Sequence, residues 1–189
     1  VLFADLRGFT SFSERSSPEE VVALLNRYFG MATPLVLAQG GTIDKYVGDA
    51  MMALFNAPVR QPDHALRAVR AALAMQAAIE QIAAANASWP RFRIGINSGP
   101  ALVGNIGSAE LRNFTAIGDT INLASRLETS AESGQIVIGA ATYAHIRDIA
   151  LVRELGGIAV KGKAAPVEAF VLLGLRQTSV EQAGAGVSQ

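Results

Sequence analysis

The order of apolar and polar positions along the chain predicts short strands separated by long helices. Residues 1–6 form an apolar run containing one acid, which is typical of a buried strand. Ser17 is a typical N-cap residue and Pro18 is typical of the first helical position, so they predict the start of a helix. The apolar positions that follow recur at helical spacing. We expect Pro34 to kink or break this helix, because proline lacks the backbone N–H that a helix interior needs.

The rest of the chain continues this alternation. We predict a hairpin that turns at Gly48-Asp49, a long helix capped by Asp63, and a second strand pair around Gly99-Pro100. A helix capped by Asp119 follows, and then a strand, a short helix and two more strands. This order predicts an α+β protein with a ferredoxin-like βαββαβ core, in which helices pack on a mainly antiparallel sheet.

The amino-acid composition limits which kinds of partner and which metal ions the chain is expected to bind. Half of the residues are hydrophobic, 17% are charged and the formal net charge is zero, so no general attraction for nucleic acid is expected. There is no cysteine, so a bound metal would be held by carboxylates, which favours Mg²⁺ or Mn²⁺. The absence of cysteine is also compatible with the cytoplasm. We predict no signal peptide and no membrane span in this sequence, and we expect a cytoplasmic domain, either of a soluble or of a membrane-anchored protein. The chain begins with Val1, and we expect it to be part of a longer polypeptide.

Two aspartates are the first candidates for chemistry. Asp5 lies in an apolar strand, where a carboxylate is costly to bury unless it is paired or binds a metal. Asp49 lies at the tip of the predicted hairpin. Each has an ordinary structural interpretation, Asp5 as a cap at a strand end and Asp49 as a turn residue. In a βαββ core, however, the first strand lies beside the hairpin, so the two carboxylates can converge on a cation.

Several basic and amide side chains are further candidates. Asn122 and Arg126 are four residues apart on one predicted helix, and hence on one face. They form either a solvated helix face or a pair directed at a ribose and a phosphate. Lys45 lies on a predicted strand, and Lys161 lies in a short basic loop. Spacing alone does not separate a solvent-facing from a ligand-binding role for either lysine.

Five motifs, taken together in this order, resemble the class III adenylate/guanylate cyclase catalytic domain. They are FADLRGFT (3–10), GTIDKYVGDA (41–50), RIGINSG (93–99), VGNIGS (103–108) and FTAIGDTINLASRLE (114–128). The resemblance covers residues 1–174. We expect residues 175–189, which are rich in Gly, Ala, Ser and Gln, to form a disordered tail or a linker.

The resemblance implies a role for each candidate residue. Asp5 and Asp49 match the two aspartates that bind two divalent metal ions, Mg²⁺ or Mn²⁺. Lys45 and Thr115 match the pair that reads the purine, and lysine with threonine is the adenine type. Lysine can donate to adenine N1 and threonine can accept from the exocyclic amine. The remaining matches concern the ribose and the phosphates: Asn122 on the ribose, Arg126 on the α-phosphate, and Lys161, Phe9 and Thr10 on the phosphates.

The resemblance also implies an activity and an assembly. The expected reaction converts ATP to cyclic AMP and pyrophosphate at sites shared across a head-to-tail homodimer, with a regulatory domain upstream. The alternatives are a guanylate cyclase and a non-catalytic nucleotide-sensing dimerisation module. One position departs from the family pattern, because Leu111 stands where many members have a basic residue and Arg112 follows it.

Overall fold

Strands and helices alternate along the chain in the computed structural model, which describes residues 1–84, 86, 88–158 and 165–176. The strands are β1 (Leu2–Arg7), β2 (Thr42–Val47), β3 (Ala50–Leu54), β4 (Arg91–Ile96), β5 (Leu102–Gly107), β6 (Arg112–Ile117), β7 (Ile136–Gly139), β8 (Ala150–Ile158) and β9 (Val167–Leu175). The helices are α1 (Phe9–Ser13), α2 (Pro18–Ala38), α3 (His64–Ala83), α4 (Asp119–Ser130) and α5 (Ala140–Ile146).

The central sheet has seven strands in the order β2-β3-β1-β4-β7-β9-β8. Only the β4–β7 pair is parallel, and the other pairs in this sheet are antiparallel. The first four strands, with α2 and α3 as their connections, have the order of a ferredoxin-like βαββαβ unit. The predicted α+β class and the mainly antiparallel sheet are therefore confirmed.

The predicted pairing of the strands around Gly99-Pro100 is wrong. β5 pairs with β6 in a separate two-stranded sheet, and β6 had not been predicted as a strand. The reason is that β4 is already paired along both edges, with β1 on one side and β7 on the other. No edge of β4 remains for β5, so the chain leaves the main sheet after β4.

Helix α2 runs through Pro34, so the break that was one of the two expected effects of this proline does not occur. Its start is as predicted, since Ser17 and Glu20 form a reciprocal capping box. Its buried positions, which include Tyr28 and Val36, lie on both sides of the proline and belong to the main core. Their burial outweighs the hydrogen bond that Pro34 cannot make, a loss on the order of 3 kcal/mol.

By length and composition α2 is also apolar enough to cross a membrane. Its packing assigns it to the folded domain instead, because Tyr28 is fully buried and its hydroxyl donates to the Pro90 carbonyl at 2.9 Å.

The two predicted aspartate caps differ from expectation. Helix α4 starts after Gly118, so Asp119 is the first residue of the helix and not its N-cap. Asp63 occupies the predicted N-cap position, but its carboxylate accepts from Arg67 Nε at 2.7 Å.

The two faces of the sheet have different roles. Alternation along β1 turns Leu2, Ala4 and Leu6 into the main core with α2 and α3. It turns Phe3 and Asp5 to the opposite face, on which α4 packs. α4 approaches β4 closely because Gly95 has no side chain: a Cβ there would overlap the α4 backbone at Ala124 and Glu128.

Candidate active site

Asp5 and Asp49 converge, as the sequence predicted. Asp5 on β1 is the register partner of Ala50, the residue that follows Asp49 at the hairpin turn. Both aspartates line one cavity of about 410 Å³. Phe9 and Thr10, at the start of α1, line the same cavity, although a turn and not a helix had been predicted there.

The electrostatics of this cavity suit a cation. Burial, and next the negative charge of Asp5, raises the pKa of the Asp49 carboxyl. A divalent ion between the two carboxylates would relieve that repulsion. The described residues hold no cluster of three or more His, Cys, Asp or Glu. Two carboxylates together with the phosphates of a substrate are nevertheless a usual donor set for Mg²⁺, so the residues present fit the metal that the sequence predicted.

Arg93 is a member of this cavity that the sequence analysis missed. Its Nε donates to Asp5 Oδ1 at 2.9 Å and lies 2.6 Å from Glu128 Oε1 on α4. Glu128 is only 7% exposed, and burial raises its pKa to about 7 even though Arg93 acts in the opposite direction. Arg93 and Gly95 are two residues apart on β4, so their side chains lie on the same face of the strand. This spacing is the sequence signal that could have placed Arg93 on the face of α4.

Lys45 and Thr115 meet although they lie in different sheets. Lys45 Nζ donates to Thr115 Oγ1 at 3.1 Å. The Thr115 hydroxyl in turn donates to Asp44 Oδ2 at 3.0 Å. Thr115 is almost buried, whereas the Lys45 side chain is 43% exposed. The two residues predicted to read a base thus share one hydrogen-bonded group with Asp44, which the sequence analysis did not single out.

Asn122 and Arg126 lie one turn apart on α4, as predicted. The buried positions of this helix, Ile121, Ala124 and Leu127, hold it against the sheet. Asn122 is exposed and Arg126 is partly exposed, so both side chains are accessible to a ligand.

The other predicted phosphate contacts are less defined. Lys161 lies outside the described residues. Arg112, on β6, donates from Nε to the Ser108 carbonyl at 3.2 Å and is exposed. Of the described residues, those that line the cavity around Asp5 and Asp49 do not include Lys45, Thr115, Asn122 or Arg126. Within one chain, Asp5 and Asp49 therefore line a cavity that these four candidate residues do not reach.

Known structures with the same architecture are close to this one. The adenylyl cyclase CyaB from P. aeruginosa superposes with a TM-score of 0.88 and 39% identity, and the match covers 93% of each chain. The guanylyl cyclase Cya2 superposes with a TM-score of 0.86 and 38% identity, over 94% of this chain and 92% of that one. The fold thus occurs in both adenylyl and guanylyl cyclases.

Several relatives by sequence are named adenylate cyclases, and one from Dictyostelium discoideum, 31% identical over 86% of this chain, is named a membrane guanylyl cyclase. Adenylate cyclase 1 of Rhizobium meliloti (strain 1021) is 38% identical over 97% of this chain, and an adenylate cyclase of Mycobacterium tuberculosis is 33% identical over 86%. The chain spans only 29% and 37% of the length of these two proteins. Residues 1–174 match the family model described as the adenylate and guanylate cyclase catalytic domain, and with the fold and the converging aspartates this establishes that the chain belongs to that family.

Proposed function

We propose that this chain converts ATP to 3′,5′-cyclic AMP and pyrophosphate. The observation that carries the proposal is the contact between Lys45 Nζ and Thr115 Oγ1. Together they offer one donor and one acceptor, the pattern complementary to N1 and the exocyclic amine of adenine. The names of the sequence relatives from Rhizobium meliloti and Mycobacterium tuberculosis support the same substrate.

The reaction is an in-line attack of the ribose 3′-oxygen on the α-phosphorus. A bond forms between these atoms, the bond from the α-phosphorus to the bridging oxygen breaks, and pyrophosphate leaves. Asp5 and Asp49 would hold two divalent ions, Mg²⁺ or Mn²⁺, which when bound neutralise the triphosphate and lower the pKa of the 3′-hydroxyl. Arg126 would face the charge that develops on the α-phosphate, and Asn122 would orient the ribose.

The cavity that Asp5 and Asp49 line does not include Lys45, Thr115, Asn122 or Arg126, which supports a site shared between two copies of the chain. Asp5 and Asp49 would come from one protomer, and Lys45, Thr115, Asn122 and Arg126 from its partner. A head-to-tail homodimer with two-fold symmetry then has two equivalent sites. Exposed apolar side chains on β2, β5 and β6 support such an interface, among them Val47 (62% exposed), Leu102 (67%) and Ile117 (50%).

Further parts of the proposal concern the phosphates and the rest of the polypeptide. Phe9, Thr10 and Lys161 would contact the phosphates. The catalytic domain would end near residue 174, at the end of β9, and the residues that follow this strand, most of which lie outside the described residues, would form a tail or linker. The greater length of the named relatives supports an upstream regulatory domain. We propose a cytoplasmic location, where ATP is available.

Guanylate cyclase activity is the second candidate, because Cya2 and other guanylyl cyclases share the fold. The decisive experiment measures cyclic AMP, cyclic GMP and pyrophosphate formed by the purified chain from ATP and GTP, with Mg²⁺ and with Mn²⁺. We expect cyclic AMP from ATP, with a specific activity that rises with protein concentration if the dimer is weak. The variant Asp5→Asn serves as the inactive control.

Two results would contradict this proposal. Preferential formation of cyclic GMP would make the chain a guanylate cyclase. Binding of ATP without metal-dependent release of pyrophosphate, in a preparation shown to be dimeric, would indicate a nucleotide-sensing dimerisation module.

A further inference from the structure

Asp44 is the extra residue of a β-bulge next to the proposed base-reading pair. The β2–β3 register pairs Ile43 with Ala53 and Lys45 with Met52, so Asp44 has no partner on β3. A strand without a bulge would direct the side chains of neighbouring residues to opposite faces. Here the side chains of Asp44 and Lys45 meet at the same hydroxyl group.

The three side chains form a closed triangle. Asp44 Oδ2 lies 3.0 Å from Thr115 Oγ1 and 3.2 Å from Lys45 Nζ, and the third side, from Lys45 Nζ to Thr115 Oγ1, is 3.1 Å. The Asp44 side chain is 0% exposed, whereas that of Lys45 is 43% exposed. Asp44 therefore lies beneath the pair and faces away from any ligand that the pair binds.

The chemistry of the groups fixes the direction of each hydrogen bond. A carboxylate only accepts and an ammonium group only donates, so the Thr115 proton is directed at Asp44. The hydroxyl oxygen accepts from Lys45 and keeps one lone pair for a ligand. Lys45 directs one N–H at Thr115 and forms an ion pair with Asp44, which leaves an N–H for a ligand. The exposed side of the triangle thus offers one acceptor beside one donor.

We propose that Asp44 is a specificity-determining positioning residue, which makes Thr115 an acceptor and thereby selects adenine over guanine. This inference rests on the proposed cyclase function. Adenine presents an amine donor beside an N1 acceptor, which matches the pair. Guanine bound in the same position presents the O6 acceptor to Thr115 and the N1–H donor to Lys45, so both contacts are mismatched. The Thr115 hydroxyl cannot turn to donate to O6 because its proton is held by Asp44.

A second observation on Asp44 supports a role beyond folding. Its other carboxylate oxygen, Oδ1, is buried and has no hydrogen-bond partner in the described part of the chain. A buried polar atom without a partner is costly and calls for an explanation. Selection of the base is such an explanation, because an apolar residue at position 44 would avoid this cost but release the Thr115 proton.

The test compares substrate preference, defined as kcat/KM for ATP divided by kcat/KM for GTP, among variants of the full chain. We expect Asp44→Ala to lower this ratio about 10- to 100-fold, because a hydrogen-bonding site discriminates through groups left mispaired. Asp44→Asn keeps an oxygen that can accept from Thr115, and its ratio should stay within about threefold of the original. The matched control is Thr42→Val, also on β2, whose hydroxyl donates to the Ala57 carbonyl and not to the pair.

A double variant separates selection from a general structural effect. In a Thr115→Val background the hydroxyl is gone, so adding Asp44→Ala should leave the ratio unchanged. Loss of folding alone lowers turnover of both substrates and does not move the ratio. If Asp44→Ala fails to fold, Asp44→Leu replaces it, since leucine has the same branched arrangement of side-chain atoms, although larger, and no acceptor. Asp44→Asn is tested in either case.

The possible outcomes are distinct. A ratio unchanged in Asp44→Ala or Asp44→Leu overturns the inference, as does a ratio that collapses in Asp44→Asn. In both cases the original chain still forms cyclic AMP, and the proposed function survives. If the original chain forms no cyclic nucleotide from either substrate, the proposed function fails first. The inference is supported if the ratio falls in Asp44→Ala or Asp44→Leu but not in Asp44→Asn, and if the fall is absent in the Thr115→Val background.

Discussion

The Arg93 guanidinium donates from Nε to Asp5 Oδ1 at 2.9 Å. The same nitrogen lies 2.6 Å from Glu128 Oε1, so Arg93 joins a proposed metal-binding carboxylate on β1 to helix α4. All three side chains are largely withdrawn from solvent, with 15% exposure for Arg93, 21% for Asp5 and 9% for Glu128. One cation therefore compensates two acids in a region of low dielectric, where an unpaired charge is costly.

Removal of this cation should destabilise the domain through Glu128. We expect Arg93→Met to lower the free energy of unfolding by about 3 kcal/mol, because Glu128 is left buried without its partner. Arg93→Met combined with Glu128→Gln should recover at least about half of the loss. Urea unfolding near pH 7.5 without divalent metal measures both effects. Equal stability of the single and the double variant would contradict this explanation.

The raised pKa of Glu128 predicts a pH dependence of stability. Its pKa is about 7 in the fold, above the ordinary 4.5, so the folded state favours the protonated form. This contribution is fully present below about pH 4.5 and is lost as the pH rises through 7. Between about pH 5 and pH 7.5 the free energy of unfolding should fall, by an amount on the order of 2–3 kcal/mol from this group.

Glu128→Gln isolates that contribution, since glutamine does not titrate. Urea unfolding of both proteins across this pH range, without divalent metal, should give a shallower decline for the variant. The difference between the two curves is the measured quantity, because every other titratable group is present in both proteins. Parallel curves would show that Glu128 has an ordinary pKa.

The sequence was sufficient for the ferredoxin-like core and for the approach of Asp5 to Asp49. Both follow from local signals, namely the alternation along β1 and the Gly48-Asp49 turn, combined with one topological rule. β6 was missed because its sequence, from Arg112 to Ile117, has mixed polarity, and two of its apolar side chains, Phe114 and Ile117, are exposed. A strand in a small separate hairpin lacks the burial pattern that identifies a core strand.

The structure adds relationships that no spacing rule contains. The bulge at Asp44 changes the face of one residue, and alternation along β2 gives no sign of it. The sequence gives no sign of the role of Arg93, because its partners Asp5 and Glu128 lie 88 positions before it and 35 positions after it. The helix through Pro34 also depends on tertiary packing, since burial on both sides of the proline overrides its local preference.

Two inactive variants should restore activity when they are mixed, if the site is shared between protomers. Asp5→Ala removes a proposed metal ligand and Asn122→Ala removes the proposed ribose contact, so each homodimer has two defective sites. A mixed dimer has one site that carries both defects and one that carries neither. We expect the equimolar mixture to recover up to about a quarter of the original activity, from half of the dimers with one intact site each.

The control for this mixing experiment is Asp5→Ala with Asp49→Ala. Both changes affect the same residue group, so every site in the mixed dimer contains one of them and no recovery is expected. Absence of recovery in the first mixture, with heterodimers demonstrated by differently tagged chains, would rule out the shared site.

Arg126→Ala tests the proposed stabilisation of developing charge. A contact that strengthens only in the transition state affects kcat and not ground-state binding, so kcat should fall about 10²- to 10³-fold with little change in KM for ATP. Arg126→Lys should recover part of the loss, because a charge remains. The measurement is steady-state kinetics at saturating Mn²⁺. A rise in KM with unchanged kcat would place Arg126 in ground-state binding instead.

Replacement of Gly95 by alanine, which adds a single methyl group, should disturb both the fold and the site. A Cβ at this position would overlap the backbone of α4 at Ala124 and Glu128, and backbone atoms cannot rotate away as a side chain can. Gly95→Ala must therefore displace α4 from β4. We expect a loss of about 1–3 kcal/mol in the free energy of unfolding, typical of overpacking.

The same displacement should reduce activity, because α4 carries Asn122 and Arg126, and small misplacements of positioning groups have large effects on rate. The matched control is Gly174→Ala on β9, where a Cβ meets no atom within 4 Å. Urea unfolding and cyclic AMP formation at saturating ATP measure the two effects in both variants. If Gly95→Ala matched Gly174→Ala in stability and in turnover, the close packing of α4 on β4 would not be what positions Asn122 and Arg126.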